Sequence, residues 1–328
     1  MTPQSTTRLR IDTHLDEDHF DRALREDVLK GLTAEFKELP PKWFYDDHGS
    51  QLFDQITRLP EYYPTEAERS ILRDHAMDIA AASGADTFVE LGSGTADKTR
   101  VLLDAFAKTG QIDTFVPFDV SGGILRSSSE ELLDEYPNME IHGVVGDFEH
   151  HLGAIPTGGR KLTALLGGTV GNFAPGPRKG LLTDIVGGMQ KGDTLLLGTD
   201  LVKDHDRLVR AYDDSQGVTA EFNKNVLTVM NRELGANFDL DFFEHVARFD
   251  TENEWMDLRL RSLRAQTVEV PALDLTVEFA EGEEMRTEIS AKFRKERVAD
   301  ELSTIGLELI EWWTDDNDDY ALSLSALR

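Results

Sequence analysis

The sequence predicts an α/β fold built on a parallel sheet with helices on both faces, and three observations predict it. Short apolar segments of strand length alternate with stretches of helical periodicity between about residues 66 and 202. Thr87-Phe88-Val89-Glu90-Leu91 is an apolar run that meets Gly92-Ser93-Gly94 and then a helical pattern, giving strand, turn and helix in succession. The apolar segments end at acids or glycines: Gly92, Asp119, Gly146-Asp147 and Gly167-Gly168. Ligands of an open parallel sheet bind beyond the carboxyl ends of its strands, so chemistry is expected at these positions.

Composition narrows the function class. At 328 residues, 40% of them hydrophobic, the chain is long enough for two domains and a large core. A net charge of −28 disfavours nucleic acid and anionic membrane as partners, because phosphate neutralisation needs clustered Lys and Arg. A small-molecule substrate is expected instead, with no metal, for a monomeric protein. The absence of cysteine excludes disulfides, a thiolate nucleophile and Cys-ligated metals. No apolar run approaches the ~20 residues of a membrane span and the N-terminus lacks a signal-peptide core, which makes the cytoplasm the expected location.

In chain order, residues 1–18 are polar and aperiodic and read as a flexible tail. Apolar residues from Phe20 to Phe36 recur at helical spacing until Pro40-Pro41. An aromatic block with Trp43, Phe44, Tyr45, Tyr62 and Tyr63 follows. Thr65-x-x-Glu68 has the form of a capping box, opening a helix that runs to Gly84. Strands are expected over 87–91, 114–120, 140–145, 161–166 and 194–199, with helices between them; Pro177 suits the first turn of one of these helices. Residues 202–291 break the rhythm, with two helical stretches and then alternating segments, and read as a mixed insertion. A helix over 294–304 and a hairpin of 307–313 with 320–327 end the chain, joined by an acidic turn.

Gly92 and Gly94 lack the Cβ that would block a tight turn and a ligand against the backbone. The dinucleotide fingerprint G-x-G-x-x-G requires a third glycine where this chain has Asp97, which argues against a nicotinamide cofactor. Glu90 before G-x-G resembles the first motif of class I S-adenosylmethionine-dependent methyltransferases. Asp119, about 25 residues after Gly94, stands where an acid accepts from ribose hydroxyls, with a helix N-cap as the plainer alternative. Asp147-Phe148 suits an adenine, the carboxylate accepting from the exocyclic amine and the ring offering a stacking face; a turn acid beside a core ring is the alternative.

The blocks LPPKWFYDDHGSQLFDQITRLPEYYPTEAE, VELGSGTADKT, VPFDVS, VVGDFEHHL, LLGGTVGNFAP, LLLGTDLVKD, RLVRAYDDSQGVTAEFNKNVL, FEHVARF and GEEMRTEISAKF resemble the L-histidine Nα-methyltransferases of ergothioneine biosynthesis, over most of residues 38–328. The resemblance implies transfer of three methyl groups from S-adenosylmethionine to the α-amine of histidine, giving hercynine. It also implies a Rossmann-like class I methyltransferase sheet with a C-terminal antiparallel hairpin, over 66–202 and 292–328. A second, mixed α+β substrate-binding domain would comprise 19–65 and 203–291.

On this chain the resemblance assigns Gly92, Lys98, Asp119, Asp147 and Phe148 to the cofactor, with Tyr45 and the Gly167–Thr169 loop beside it. Tyr45, Asn172 and Tyr212 would meet the amine and carboxylate of histidine, Tyr45 and Asn172 carrying the catalytic role. Tyr62, Glu288 and Ser290 would meet the imidazole. Leu258 departs from the pattern, standing where methionine is expected near the histidine side chain. Strand alternation over Met285–Phe293 places Glu288 and Ser290 on one face with Ile289 opposite. By pattern alone, Asn172 also suits an Asx-turn, Tyr212 a surface position, and Glu288 and Ser290 a solvated face. The competing functional readings are a methyltransferase for another amino acid or amine, a nicotinamide-dependent oxidoreductase, and a non-catalytic binding module with an acidic surface.

Overall fold

The computed structural model describes residues 8–16 and 18–328. Strand β1 (Leu9–Thr13) and helices α1 (His19–Thr33), α2 (Asp47–Ile56) and α3 (Pro64–Ser83) come first. Then β2 (Thr87–Leu91), α4 (Thr99–Thr109), β3 (Thr114–Asp119), α5 (Gly122–Glu135), β4 (Glu140–Val145), β5 (Lys161–Leu165), α6 (Pro175–Gly187) and β6 (Thr194–Asp200) follow in order. Helices α7 (His205–Tyr212) and α8 (Val218–Leu234) lead to β7 (Phe243–Asp250), β8 (Trp255–Ser262), β9 (Gln266–Val270), β10 (Leu275–Phe279) and β11 (Glu284–Ala291). Helix α9 (Lys295–Thr304) and the hairpin β12 (Leu307–Thr314) with β13 (Tyr320–Leu327) close the chain.

Eight strands form one sheet in the order β1-β4-β3-β2-β5-β6-β13-β12. The first six run parallel, and β13 and β12 are antiparallel. This is the class I methyltransferase sheet expected from the sequence. Every residue of β2, β5 and β6 is buried, as befits central strands covered on both faces. Phe88, Phe106 and Phe115 fill the core on one side of the sheet, and Val89, Leu91, Phe118 and Leu181 that on the other. The strand order reverses at β2, which lies between β3 and β5, so the loops after β2 and β5 flank the crevice where ligands of such sheets bind.

Two local expectations are corrected. The expected tail over 1–18 includes β1, which pairs in parallel with the edge strand β4 from Leu9 opposite Ile141 to Thr13 opposite Val145; residues 1–7 lie outside the described residues. The free edge of β4 supplies the backbone partners, and Arg8 donates to the carbonyls of Leu133 and Pro137 at 3.2 and 3.0 Å. Five residues are too few to announce this by periodicity. Helix α3 starts at Pro64 with no side-chain cap, so the Thr65-x-x-Glu68 box does not form. Its Glu68 is buried and bonded elsewhere. Pro177 lies in the first turn of α6, as expected, with Pro175 at its first position.

The insertion forms an antiparallel sheet β11-β8-β7 and a two-stranded ribbon β10-β9. Its apolar core combines Phe222, Met230, Phe243, Phe279 and Met285 with Leu24, Val28, Phe44 and Leu52, so the N-terminal helices and the insertion pack as one unit. A bulge interrupts β11: Arg286 lies opposite Arg259 and Glu288 opposite Leu258, leaving Thr287 as the extra residue. Thr287 Oγ1 donates to the Leu258 carbonyl at 3.1 Å. Beyond the bulge, Glu288 and Ser290 share a face with Met285, and Ile289 lies opposite, as the alternation predicts. Arg286, also even-numbered, is on the other face, where it binds Asp257.

Candidate active site

The turn after β2 is held in a conformation that favours glycine. Gly92 and Gly94 have φ of 74° and 49°, and no atom lies within 4 Å of where a Cβ would stand at either. The space beside the backbone is open. Asp119, ending β3, braces this turn: Oδ2 accepts from Gly94 N and Oδ1 from Ser121 N, both at 2.9 Å. Burial pushes its carboxyl up, and these N–H groups oppose the shift. The N-cap of α5 is Ser121, so the capping alternative for Asp119 does not hold. Asp147 Oδ1 accepts from Glu149 N at 2.8 Å, while Oδ2 lies 3.8 Å from His19 Nε2. Phe148 beside it is only partly buried, edge-on to Phe173.

The loop after β5 carries Gly167 and Gly168 at φ of 73° and 70°, a consecutive left-handed pair that turns the chain sharply. Glu68 fixes this loop. Its Oε1 accepts from Gly167 N at 2.7 Å and from the Tyr320 hydroxyl at 2.9 Å, while Oε2 pairs with Lys98. Lys98, expected at the cofactor, is thus also tied to a carboxylate from α3. Glu90 is fully enclosed; burial pushes its carboxyl up to about 7, against its bond from the Thr99 hydroxyl.

Beyond these loops lies an aromatic recess. Tyr45 is 46% exposed and packs edge-on against Phe53 and Phe222, at centroid distances of 5.5 and 5.3 Å. Tyr62 stands edge-on to Tyr212 at 6.0 Å. Tyr212 is buried at the end of α7, which removes the surface reading, and its hydroxyl lies 2.8 Å from Ser290 Oγ. Glu288 is close enough for its charge to oppose ionisation of Tyr45, Tyr62 and Tyr212. Burial pushes the Glu288 carboxyl up to about 7 despite the Lys292 cation nearby. Leu258 sits directly across the strand pair from Glu288 and packs with Tyr212 and Met256.

Asn172 ends a single 3-10 turn, Thr169–Asn172, that packs on β11. A Cβ on Gly171 would lie 3.0 Å from the Ala291 carbonyl, so glycine permits this close approach. Among the described residues the Asn172 amide makes no hydrogen bond, so the Asx-turn does not form and both its donor and its acceptor are free.

Four residues of this region were given no role by the sequence: Lys292, Asp200, Lys203 and Tyr63. Lys292 is fully buried and donates to Tyr212 Oη at 2.9 Å and Ser290 Oγ at 2.8 Å, and it pairs with Asp200 Oδ2 at 2.8 Å. Tyr63 donates to Asp200, and Lys203 pairs with it. Burial works against ionisation of Asp200, but the two ammonium groups outweigh it and hold the carboxyl below its usual range. The only available signal was Lys292 itself, a cation two residues after Ser290 in an alternating strand. Among the described residues no cluster of His, Cys, Asp or Glu could hold a metal ion, and no helix is long and apolar enough to cross a membrane. A cavity of about 370 Å³ lined by His48, Glu221, Lys224 and Asn225 shares no residue with this site.

The family of histidine-specific, S-adenosylmethionine-dependent methyltransferases matches residues 24–327. The histidine N-alpha-methyltransferase of Mycolicibacterium smegmatis is 57% identical over 317 residues, 97% of this chain and 99% of its own length. Its counterpart in Mycobacterium tuberculosis is 56% identical over 319 residues, with the same coverage. Ergothioneine biosynthesis protein 1 of Schizosaccharomyces pombe is 32% identical over 227 residues, 66% of this chain and 29% of that longer protein. With its glycine turns and strand-end acids set beside an aromatic recess, the chain belongs to the family of S-adenosylmethionine-dependent, histidine-specific methyltransferases.

Proposed function

We propose that this enzyme transfers methyl groups from S-adenosylmethionine to the α-amine of L-histidine, producing hercynine in the first step of ergothioneine biosynthesis. One observation carries the reading at the level of residues: Glu288, a half-buried carboxylate without a side-chain hydrogen bond among the described residues, lies beside a recess of three tyrosines. An acceptor without a protein partner, which a bound ligand would seal from water, calls for a donor from the substrate. An imidazole N–H meets that need.

The open space at Gly92 and Gly94 and the acid at Asp119 fit the cofactor, as do Asp147 and Phe148 for an adenine. When bound, S-adenosylmethionine supplies an electrophilic methyl on a sulfonium whose thioether leaves without a proton. Gly92, Lys98, Asp119, Asp147 and Phe148 hold it in our assignment. Tyr45 and Asn172 align the α-amine, and alignment is the main catalytic contribution to an in-line displacement. Asn172 donates to the carboxylate and accepts from the amine, while the Tyr212 hydroxyl oxygen accepts from the amine. Tyr62 packs on the ring that Glu288 and Ser290 read.

As methyl groups replace N–H groups, the hydrogen bonds from the amine are lost, and the face of Tyr45 continues to attract the methylated cation. The same site therefore serves histidine and its mono- and dimethyl forms. We assign the substrate-binding role to 19–65 with 203–291 and the cofactor role to 66–202 with 292–328, in a cytoplasmic monomer. The test is mass spectrometry after incubation with S-adenosylmethionine and a mixture of amino acids. Selective trimethylation of histidine on its α-amine is expected; methyl groups on the imidazole, or preference for another amino acid, would refute the assignment.

A further inference from the structure

Lys292, Tyr212 and Ser290 form a closed triangle whose hydrogen count is fixed. A lysine ammonium has three N–H donors and no acceptor. Here the three reach Asp200 Oδ2 at 2.8 Å, Tyr212 Oη at 2.9 Å and Ser290 Oγ at 2.8 Å, so all are used. Tyr212 Oη and Ser290 Oγ are 2.8 Å apart, and one O–H proton lies between them. The second O–H proton has no acceptor in the triangle, because the ammonium only donates. Among the described residues neither hydroxyl has any other protein partner.

We infer that Lys292, held in place by Asp200, sets the polarity of the Tyr212–Ser290 pair so that it presents an O–H to the substrate ring and selects the neutral imidazole. This rests on the assignment of Glu288 and Ser290 to the ring. Glu288 on the same strand face accepts one N–H, and the hydroxyl pair donates to the ring's other nitrogen. A neutral imidazole has one donor and one acceptor nitrogen, matching that arrangement; an imidazolium has two donors and leaves the free O–H facing an N–H.

The surrounding charges divide: the Lys292 and Lys203 cations disfavour an imidazolium, the Glu288 carboxylate favours one, and Asp200 is offset by its two ammonium partners. Glu288 lies on β11 and Lys292 just beyond its end, Asp200 at the end of β6 and Lys203 just beyond it, and Tyr62, Tyr63 and Tyr212 contribute neutral hydroxyls. Arg207 and Asp319 pair with each other beyond Lys203. On β7, His245 donates from Nε2 to the Tyr212 carbonyl at 2.8 Å and lies against the Asn223 amide at Nδ1. Burial holds its pKa below the usual imidazole range. Lys292 is therefore a positioning residue acting on the ring through two hydroxyls.

The test is nitrogen-15 NMR of ring-labelled histidine bound to the full-length enzyme with S-adenosylhomocysteine at about pH 6, just below the ~6.5 of a free imidazole. One protonated and one bare, hydrogen-bonded ring nitrogen are expected, although free histidine is mainly imidazolium there. Two protonated nitrogens in the complex would overturn the inference. Failure of histidine to bind at all would instead sink the assignment of the site. Lys292→Met should raise the pKa of the bound ring and increase KM for histidine roughly tenfold. Lys292→Arg should restore part of both effects. An unchanged ring pKa in a folded Lys292→Met variant, one that still binds S-adenosylhomocysteine, would also overturn it, and the wild-type spectrum decides the matter if that variant does not fold.

Discussion

Glu68 Oε1 accepts the Gly167 amide at 2.7 Å, joining helix α3 to the loop that follows β5. The same carboxylate holds Lys98 and Tyr320, so one buried acid couples the loops after β2 and β5. Glu68→Ala strands the partners of a buried charge, for which a loss of roughly 3–5 kcal/mol is typical. Thermal unfolding should show a lower Tm, and calorimetry weaker binding of S-adenosylhomocysteine. Intact affinity in a folded Glu68→Ala protein would show that this bond does not shape the cofactor site.

Asp119→Ala removes acceptors from two backbone amides as well as the expected partner of the ribose. Binding of S-adenosylmethionine should fall by at least tenfold, since each bond to a charged group contributes roughly 1.5–3 kcal/mol. Asp119→Asn should recover part of it. Calorimetry checks both, and undiminished binding in Asp119→Ala would remove Asp119 from the cofactor site.

Glu288→Ala should reduce kcat/KM for histidine on the order of tenfold to a hundredfold, the range for a lost charge-assisted hydrogen bond. Cofactor affinity should change little. The preference for histidine over phenylalanine and tryptophan should narrow, because the buried acceptor that penalises an apolar ring is gone. Steady-state kinetics on the three amino acids measures this; an unchanged ratio would place ring recognition elsewhere.

The same carboxylate gives the ligand-free protein a pH dependence. Burial pushes Glu288 up to about 7, so the folded state binds a proton more tightly than the unfolded chain, where glutamate titrates near 4.3. Stability from this group is fully present below about pH 4.3 and is lost as pH rises to about 7, on the order of 3 kcal/mol in all. Glu288→Gln should flatten that part of the profile and stabilise the ligand-free enzyme near pH 7.5 in urea titrations. Equal slopes in both proteins would contradict it.

The sheet was legible because its strands are continuous apolar runs and its site acids fall where such runs stop. Asp119 and Asp147 could be placed at strand ends without any tertiary knowledge. Tyr45, Tyr62, Tyr212 and Glu288 could not: only resemblance singled them out, since an aromatic block and an alternating strand read equally well as core and surface. The Asp200–Lys292 pair was hidden for a different reason. Its members are far apart in sequence, and a lysine in an alternating polar strand ordinarily means solvent. Glu68 misled more directly, because its spacing from Thr65 satisfied a local rule that the buried environment overrode.

The bulge at Thr287 gives β11 two independent halves. On one side, Glu284 and Arg286 belong to an ion-pair lattice with Arg248, Asp257, Arg259 and Arg261. On the other, Glu288, Ser290 and Lys292 serve the recess. Deleting Thr287 would restore a regular ladder with Arg286 still opposite Arg259 and Glu288 still opposite Leu258, whereas deleting a residue within either regular half would exchange inward for outward along part of it. Specificity in this strand therefore depends on how many residues it contains as well as on which ones, and a single-codon deletion away from the bulge is expected to do more damage than loss of Thr287 itself.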